Sequence, residues 1–362
     1  MTVRVNKSAF NIREKLSELE RPIGVKGNEL MGAETAQDAR DLVSAGRKNA
    51  LYNGDMQIWQ RGTVFGNGGG GGTVNYTADR WNSTRYASSE NDVSREDANY
   101  LGFRYCLRSA RGGGDTTTTA RFVSQVLEQK DTWKLRGKYV TFSFYLRVGS
   151  GFNGGLVKSS ITYHTDSSRE ERFYYNQFVN GNNTQSRIEH ESLSTDWQRF
   201  THTTYIPDNA QQVGVAIESN ESLLNSVSAD YFEMTGCQLE VGRNATEFEH
   251  RPYGEEFALC QRYCQSFDGR IAIGNWTGAT GALVVRHLSP PMRIAPSIHS
   301  YTAGRCLVEA VAWYTVGNVT IQSETRNTSV AFQLNSVANS GQSVNANAMW
   351  GNGASVVLQA EL

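Results

Sequence analysis

Short runs of alternating apolar and polar residues dominate this chain between residues 51 and 241. Examples are KYVTFSFYLRV at 138–148, RFTHTTYI at 199–206 and YFEMTGCQLEV at 231–241. Side chains of a β-strand point alternately to its two faces, so a period of two predicts strands that bury one face. Clusters of Gly, Asn, Asp and Ser separate the runs at the spacing of a β-sandwich. The pattern predicts a mainly β fold with a sandwich domain over residues 51–245.

The composition favours many short strands joined by tight turns. The 362 residues include 35 Gly and only 6 Pro, and Gly readily takes the positive φ angles that turns require. A chain of this length suggests two or three domains. Strand-like runs such as GALVVRHL and SVAFQLN return after Gly269. They predict a second β domain over residues 269–362.

The charged residues of the chain are nearly balanced. The chain has 35 Lys and Arg against 36 Asp and Glu, so net charge gives no support for nucleic acid or an anionic membrane as partner. Charged residues interrupt the first twenty positions, and no stretch reaches membrane-spanning length. We therefore expect synthesis in a cytoplasm and no membrane insertion.

The cysteines are odd in number and scattered along the chain. This pattern argues against a disulfide framework, and no second Cys or His pair accompanies the close pair at 260 and 264. Unpaired cysteines are commonly buried as small apolar side chains. The sequence therefore predicts buried thiols without a metal at Cys106, Cys237, Cys260, Cys264 and Cys306.

The first 50 residues predict a helical arm. Val5, Ile12, Leu16 and Leu19, together with Ala9, follow the alternating steps of four and three that form a coiled-coil seam. Only about two heptads are present, and an isolated helix of this size is marginal in water. Two alternatives stay open: the seam packs on its own chain, or it mediates self-association or attachment to a larger assembly.

A linking helix is predicted within residues 246–268. Glu255 and Glu256 suit a helix N-terminus. Apolar residues then follow at steps of three, four and three, which predicts a three-turn helix with one apolar side; they are Phe257, Cys260, Cys264 and Phe267. This side packs either on the chain's own sheet or against the same helix of other subunits.

The acidic residues do not predict a hydrolase. The adjacent pairs Glu170–Glu171 and Glu255–Glu256 cannot flank one glycosidic bond as neighbours on a strand, because they would point to opposite faces. We interpret them as solvated charges. His190 has no nucleophile motif beside it and is interpreted as a surface residue. The sequence predicts a protein that is not an enzyme.

Aromatic residues of the second β domain are candidates for receptor binding. Trp276 and Trp350 stand beside Gly and Asn, in GNWTG and MWGNG, which indicates exposed loops. Tyr301 is a third candidate. Aromatic rings pack on the apolar faces of sugars and anchor protein interfaces. Burial in the core is the alternative for the tryptophans.

Several segments resemble tail fibres and related tail structural proteins of tailed bacteriophages, particularly those of marine cyanophages. They are VRVNKSAFNIREKL, GNELMGAETAQDARDLVSAG, LYNGDMQIWQRGTVF, TADRW and GCQLEVGRNATEFEHRPYGEEFALCQRYCQSF. The resemblance covers most of residues 1–268 and none of 269–362. It implies a virion protein of the tail, assembled in the host cytoplasm as a homotrimer. The arm at residues 1–50 would attach to other tail proteins, and the distal domain would face the host.

The sandwich region also resembles carbohydrate-binding jelly rolls. The resemblance rests on Asn53-Gly54-Asp55, on GKYVTFSF at 137–144 and on Asp230 before the last strand. Such modules often hold a structural calcium ion. The resemblance makes Asp55 and Asp230 weak candidates for its ligands, since calcium takes six to eight oxygens. No other cofactor is implied.

These observations predict a bacteriophage tail-fibre subunit that mediates multivalent adhesion to a glycan or protein of the host surface. The alternative is a non-adhesive structural virion protein, such as a capsid decoration or a tail-assembly component. A polysaccharide depolymerase is less favoured, because no pair of carboxylates in the sequence suits the reaction.

Overall fold

The computed structural model describes residues 47–66, 75–85, 91–111, 120–153, 155–166, 170–180, 182–219, 229–278, 280–308, 312–323, 325–337 and 347–361. The chain from Lys48 onward forms one compact unit. The predicted seam of Val5, Ile12, Leu16 and Leu19 lies outside the described residues, so it stays a prediction. Among the helices described, none is long and apolar enough to span a membrane.

Two six-stranded antiparallel sheets form a sandwich. We number strands along the chain. The first sheet has the order β1-β4-β5-β14-β7-β12, with strands Val64–Phe65, Asn91–Tyr100, Phe103–Arg111, Tyr231–Val241, Lys138–Val148 and Gln198–Ile206. The second has the order β11-β8-β13-β6-β3-β2, with strands Asn183–His190, Val157–His164, Gln212–Ser219, Arg121–Val126, Asn82–Arg85 and Asn75–Tyr76. The predicted mainly β sandwich is confirmed.

Alternating side chains of the central strands fill the space between these sheets. Phe142 and Phe144 of β7 pack in one core cluster with Ile161 of β8 and with Val215 and Ile217 of β13. All five are fully buried. Each such side chain contributes roughly 1.5–3 kcal/mol by leaving water. The residues between them on β13 are buried as well, because Ala216 on the outer face packs under Phe173 and Phe178.

The C-terminal β part consists of two further sheets. A three-stranded sheet has the order β15-β24-β18, with strands Cys264–Asp268, Ser355–Gln359 and Ser297–Thr302. A seven-stranded sheet has the order β20-β19-β23-β16-β17-β22-β21, with strands Ala312–Thr315, Arg305–Val308, Asn347–Gly351, Ala272–Gly278, Gly281–His287, Ser329–Asn335 and Asn318–Ile321. A second core cluster contains residues of both sheets.

The tryptophans predicted as exposed receptor contacts belong to this second core. Trp276 and Trp350 are fully buried, so that prediction is wrong. The glycine near Trp276 allows close packing of strands and does not form a loop. A Cβ on Gly274 would lie 2.0 Å from the Leu283 carbonyl oxygen. Trp350 Nε1 donates to the Ala303 carbonyl at 2.6 Å.

The linking helix is shorter than predicted. Of the two short helices in the described residues, α1 is Gln129–Thr132 and α2 is Tyr253–Gln261. Cys264 and Phe267 were predicted on the helix but lie in β15, because this segment pairs with β24 over five residues. Cys260 and Cys264 are fully buried within the chain. They therefore provide no joint between subunits.

The Glu256 side chain also differs from its predicted state as a solvated charge. It is buried, and its Oε2 accepts from Arg251 Nη1 at 3.0 Å. Its Oε1 accepts from the Asn53 backbone N–H at 2.6 Å. Burial of an unpaired carboxylate is costly. The contacts with Arg251 and Asn53 offset this cost, and they hold the first turn of α2 against residues 51–53.

Buried ion pairs join the sandwich to the C-terminal β part. Glu361 accepts from Arg61 Nη2 at 3.0 Å and from Arg80 Nη1, and all three side chains are buried. Glu128 at the start of α1 accepts from Arg262 Nη2 at 3.0 Å. The two β parts therefore share one polar interface.

The five cysteines are buried free thiols, as predicted. Burial raises the pKa of Cys237, Cys260 and Cys264 well above that of an ordinary thiol. These three side chains are consequently neutral and packed in apolar or mixed surroundings.

Candidate functional site

The outer face of the second sheet carries a set of polar side chains in register. Alternation directs every second residue of each strand away from the sandwich core. Strand pairing places Arg187 of β11 beside Ser160 of β8, and Ser160 beside Ala216 of β13. One row further along, Lys158 pairs with Glu218. This face is thus lined by hydroxyl, carboxylate and cationic groups.

A small hairpin lies across this outer face. Its strands are β9, Phe173–Tyr174, and β10, Gln177–Phe178. Phe173 and Phe178 pack in one buried cluster with Val126 and Ala216 of the sheet. At Gly214 a Cβ would lie 2.6 Å from the Phe173 ring. Glycine at this position therefore lets the hairpin approach the sheet.

The turn of the hairpin holds a tyrosine in a strained conformation. Tyr175 has a φ of 57°, in the left-handed region where a bulky residue costs roughly 1–3 kcal/mol. Its ring lies 5.1 Å from that of Phe122 and 4.1 Å from that of Tyr174, between centroids. The Tyr175 ring is thus buried in a cluster with Ala120 and Phe122. The half-buried Tyr174 ring packs against this cluster and remains partly accessible.

A polar cluster lies beside these rings. The buried Glu218 carboxylate accepts from Arg187 Nη2 and, at 3.1 Å, from Asn176 Nδ2. Burial raises the pKa of Glu218, and Arg187 and Lys158 oppose that rise. The Asn176 carbonyl accepts from Thr162 Oγ1 at 2.7 Å and from Gln185 Nε2 at 2.9 Å. The hairpin turn is therefore anchored to both a central strand and the edge strand.

Two hydroxyls on the same face keep unused hydrogen-bonding capacity. Ser160 Oγ and Thr84 Oγ1 are buried and have no partner among the described residues. A buried polar atom without a partner costs about 1–3 kcal/mol. The outer face therefore retains polar groups that its own fold leaves unsatisfied.

This arrangement suits recognition of a sugar. Aromatic rings pack on the C–H faces of a pyranose, while planar amide, guanidinium and carboxylate groups bind hydroxyls in pairs. Here the half-buried Tyr174 ring belongs to the hairpin whose Asn176 contacts Glu218, and Arg187 holds the same carboxylate. Both kinds of group that a glycan requires are present within one turn and two strands.

The sequence did not identify these residues. FYYNQF, residues 173–178, contains an Asn suited to a two-residue turn, which was the available signal. The sequence did not reveal that this hairpin packs on Val126 of β6 and Ala216 of β13, which are far from it along the chain.

Tyr301, the remaining candidate from the sequence, lies elsewhere. It is 41% exposed on β18, and its hydroxyl donates to Asn318 Oδ1 at 2.9 Å. It belongs to the C-terminal β part and not to the hairpin region. A receptor-binding role for Tyr301 stays a prediction.

The two calcium candidates are not brought together. Asp230 accepts from Arg121 Nη2 at 3.1 Å, and Asp55 accepts from Gln57 Nε2. The Gly54 carbonyl accepts from the backbone N–H of Cys237, so Asp55 lies near Cys237. Cys237 is seven residues beyond Asp230 along an extended segment, which separates the two by roughly 20 Å. Asp55 and Asp230 therefore cannot ligate one ion. Within the described ranges, no group of three His, Cys, Asp or Glu residues could hold a metal.

Comparison with protein-family profiles finds no match, and comparison with curated protein sequences finds none either. Solved structures that are similar include the enzymatically active domain of bacteriophage CBA120 tailspike protein 4, at 12% identity and a TM-score of 0.31. That match covers 54% of this chain and 21% of the tailspike chain, so about a fifth of the tailspike is spanned.

Two smaller sugar-binding proteins are matched over most of their length. The C-terminal family 22 carbohydrate-binding module of Clostridium thermocellum Xyn10B has 14% identity and a TM-score of 0.32, over 47% of this chain and 91% of the module. A putative sugar-binding protein from Bacteroides thetaiotaomicron has 12% identity and a TM-score of 0.31, over 54% of this chain and 100% of its own. Likeness at this level carries no conclusion about function.

Proposed function

We propose that this protein is a tail-fibre subunit of a bacteriophage that adheres to the host surface by binding a glycan. The observation that carries the glycan-binding part is the strained turn of Tyr175 and Asn176 above the Glu218–Arg187 pair. Folding keeps a bulky residue in a costly conformation there, and such strain persists where a function uses it. The sequence resemblance to tail fibres supports the virion location.

Adhesion works through many weak contacts in this proposal. A shallow face with one half-buried tyrosine ring beside polar groups gives modest affinity for one sugar unit. Linking several subunits in a fibre, and several fibres on a particle, raises avidity by roughly 10²- to 10⁴-fold through effective concentration. A tightly enclosed pocket is therefore unnecessary.

Self-association into a homotrimer is part of the proposal, and an exposed apolar row supports it. The row consists of side chains in register across β17, β16, β23, β19 and β20: Val285, Ile273, Met349, Leu307 and Trp313. Ile273 is 69% and Val285 38% exposed. The row extends over roughly 19 Å, and exposed apolar rows of this kind commonly mark interfaces. The seven-stranded sheet thus replaces α2 as the proposed joint.

We further propose that the protein acts by binding and not by catalysis. Glycoside hydrolysis uses two carboxyl groups that face one bond. In support, carboxylates of the sandwich are engaged by arginines: Arg187 holds Glu218, and both Arg108 and Arg147 hold Glu233. Attachment to tail proteins through residues 1–50 also remains a proposal.

Binding of the full chain to host cells and their isolated surface polysaccharide tests this function. Tyr175→Asn keeps a residue that tolerates positive φ but removes a ring that is buried against Phe122, so binding should fall by roughly tenfold and stability should also fall, by about 3 kcal/mol. Thermal unfolding checks that the variant is folded at the temperature of the binding measurement. Tyr253→Ala, at an exposed tyrosine of α2, serves as the control and should bind normally. Equal binding by wild type and Tyr175→Asn would reject the hairpin as the site.

A second measurement addresses the alternative of a structural virion protein. Electron microscopy of particles with a labelled copy should locate the protein on the tail. Location on the capsid, with no binding of the full chain to host cells, would favour a decoration protein. Release of reducing sugar from host polysaccharide would instead favour a depolymerase.

A further inference from the structure

We infer that the opposite face of the sandwich carries a second binding site, specific for an acidic saccharide, formed by Tyr139, Tyr205 and Arg243. Tyr139 of β7 and Tyr205 of β12 are direct cross-strand partners on the outer face of the first sheet. They are 37% and 45% exposed, and their ring centroids lie 5.3 Å apart at 60°. Two large rings are thus presented to solvent side by side.

The backbone next to these rings is held firmly. The Gly242 N–H donates to the Tyr139 carbonyl at 2.9 Å. Thr141 Oγ1 lies 2.9 Å from the Gly242 carbonyl and 2.8 Å from Thr203 Oγ1. These contacts secure the start of the segment that follows β14, so the position of Arg243 is set by the sheet.

Arg243 stacks on the first of the two rings. Its guanidinium carbon lies 3.4 Å from the Tyr139 centroid. A cation over an exposed aromatic ring gains about 0.5–1 kcal/mol, and stacking leaves the N–H groups at the edge of the guanidinium plane. Tyr139 therefore orients Arg243 without consuming its hydrogen-bond donors.

The charge of Arg243 is not neutralised by the protein. Its guanidinium makes no ion pair or hydrogen bond to any described residue. Glu240 of β14, the strand that precedes Arg243, is engaged instead by the Thr246 N–H at 2.8 Å and by Gln238 Nε2 at 2.8 Å. By contrast, Arg121 and Arg187 of the same sandwich each pair with a carboxylate. Arg243 is thus an oriented cation without a counter-charge.

A saccharide that bears a carboxylate complements this surface. Its ring C–H face would pack on Tyr205, and its carboxylate would accept two N–H bonds from the Arg243 fork. The hairpin face differs, because the Arg187 guanidinium there already pairs with the Glu218 carboxylate. The two faces would therefore select different ligands, and the second site does not depend on the first.

Binding of the full chain to polygalacturonate, with neutral dextran as comparison, tests the inference. We expect binding to polygalacturonate and none to dextran at the same concentration. Arg243→Gln should weaken binding by roughly tenfold, since a charge-assisted hydrogen bond is lost. Tyr205→Ala should weaken it comparably, and Tyr205→Phe should leave it unchanged.

Arg104→Gln is the matched control for charge. Arg104 also lies over a tyrosine, 4.9 Å from the Tyr105 centroid, but that ring lacks a second exposed tyrosine partner in the described structure. This variant should bind polygalacturonate as wild type does. Equal weakening by Arg104→Gln and Arg243→Gln would show unspecific attraction and overturn the inference, as would retained binding by a folded Arg243→Gln variant.

Discussion

Ser159 Oγ lies 3.1 Å from Nδ1 of His202 and connects the two sheets of the sandwich at their edge. Ser159 is on β8 of the second sheet and His202 on β12 of the first. Nε2 of His190 lies 2.9 Å from the same serine oxygen, and Ser186 Oγ lies 2.8 Å from Nε2 of His202. Four side chains therefore form one hydrogen-bonded chain between the sheets.

The hydrogen bonds of His202 in this network predict that the protein loses stability in mild acid. Burial, and to a lesser extent the charge of the nearby His190, lower the pKa of His202 to about 4. The unfolded chain, with a His pKa of about 6.5, binds the proton more tightly than the folded one. The neutral His202 side chain therefore contributes fully to stability above pH 6.5, and this contribution is lost as the pH falls towards 4. The free energy of unfolding should fall by about 2 kcal/mol between pH 7 and pH 5.

Denaturant unfolding at pH 7 and pH 5 measures this loss. Other groups titrate in the same range, so the comparison is made with His202→Asn, which keeps a hydrogen-bonding side chain without the titration. The variant should lose less stability than wild type over the same interval. Identical pH dependence of the two proteins would contradict the role of His202.

Gly214→Ala should destabilise the hairpin region. The added Cβ would lie 2.6–2.8 Å from three atoms of the Phe173 ring, and overpacking of this kind typically costs about 1–3 kcal/mol. Glycan binding at the hairpin should weaken as well. Thermal unfolding and binding measure the two effects.

Gly254→Ala provides the control for this substitution. Gly254 lies in α2, and a Cβ there meets nothing within 4 Å. Because alanine favours a helix, this variant should be neutral or more stable by up to about 1 kcal/mol. Equal effects of the two alanines would argue against the close approach of the hairpin to β13.

Glu361→Gln should loosen the C-terminal β part. The change leaves the buried Arg61 and Arg80 without their shared carboxylate, and breaking a buried ion pair typically costs about 3–5 kcal/mol. Limited proteolysis should then cleave the C-terminal part faster. Glu247→Gln, at an exposed position, should leave stability within about 0.5 kcal/mol of wild type.

Ile273→Asp should weaken self-association without unfolding the chain. The substitution places a charge at a highly exposed position of the apolar row, where burial against another subunit would then be costly. Sedimentation velocity should show a shift from trimer to monomer. Ile294→Asp, at an exposed isoleucine outside the row, should leave the trimer intact, and a wild-type monomer at micromolar concentration would contradict the proposal.

The sequence by itself determined the strand content of this protein and the burial of its cysteines. Alternation along strands such as 138–148 is a local property: it follows from the geometry of an extended chain and does not require knowledge of which strand lies alongside. The start of α2 near Tyr253 was likewise set by local signals.

Only the tertiary structure decided where those elements pack. Trp276 is buried because its strand faces the three-stranded sheet, and the helix ends at Gln261 because residues 264–268 pair with β24 about 90 residues later. The position of the Tyr175 ring depends on its contact with Phe122 of β6, and the orientation of Arg243 depends on its contact with the Tyr139 ring. Contacts between residues distant in the chain carry no period or motif, so local patterns could not specify them.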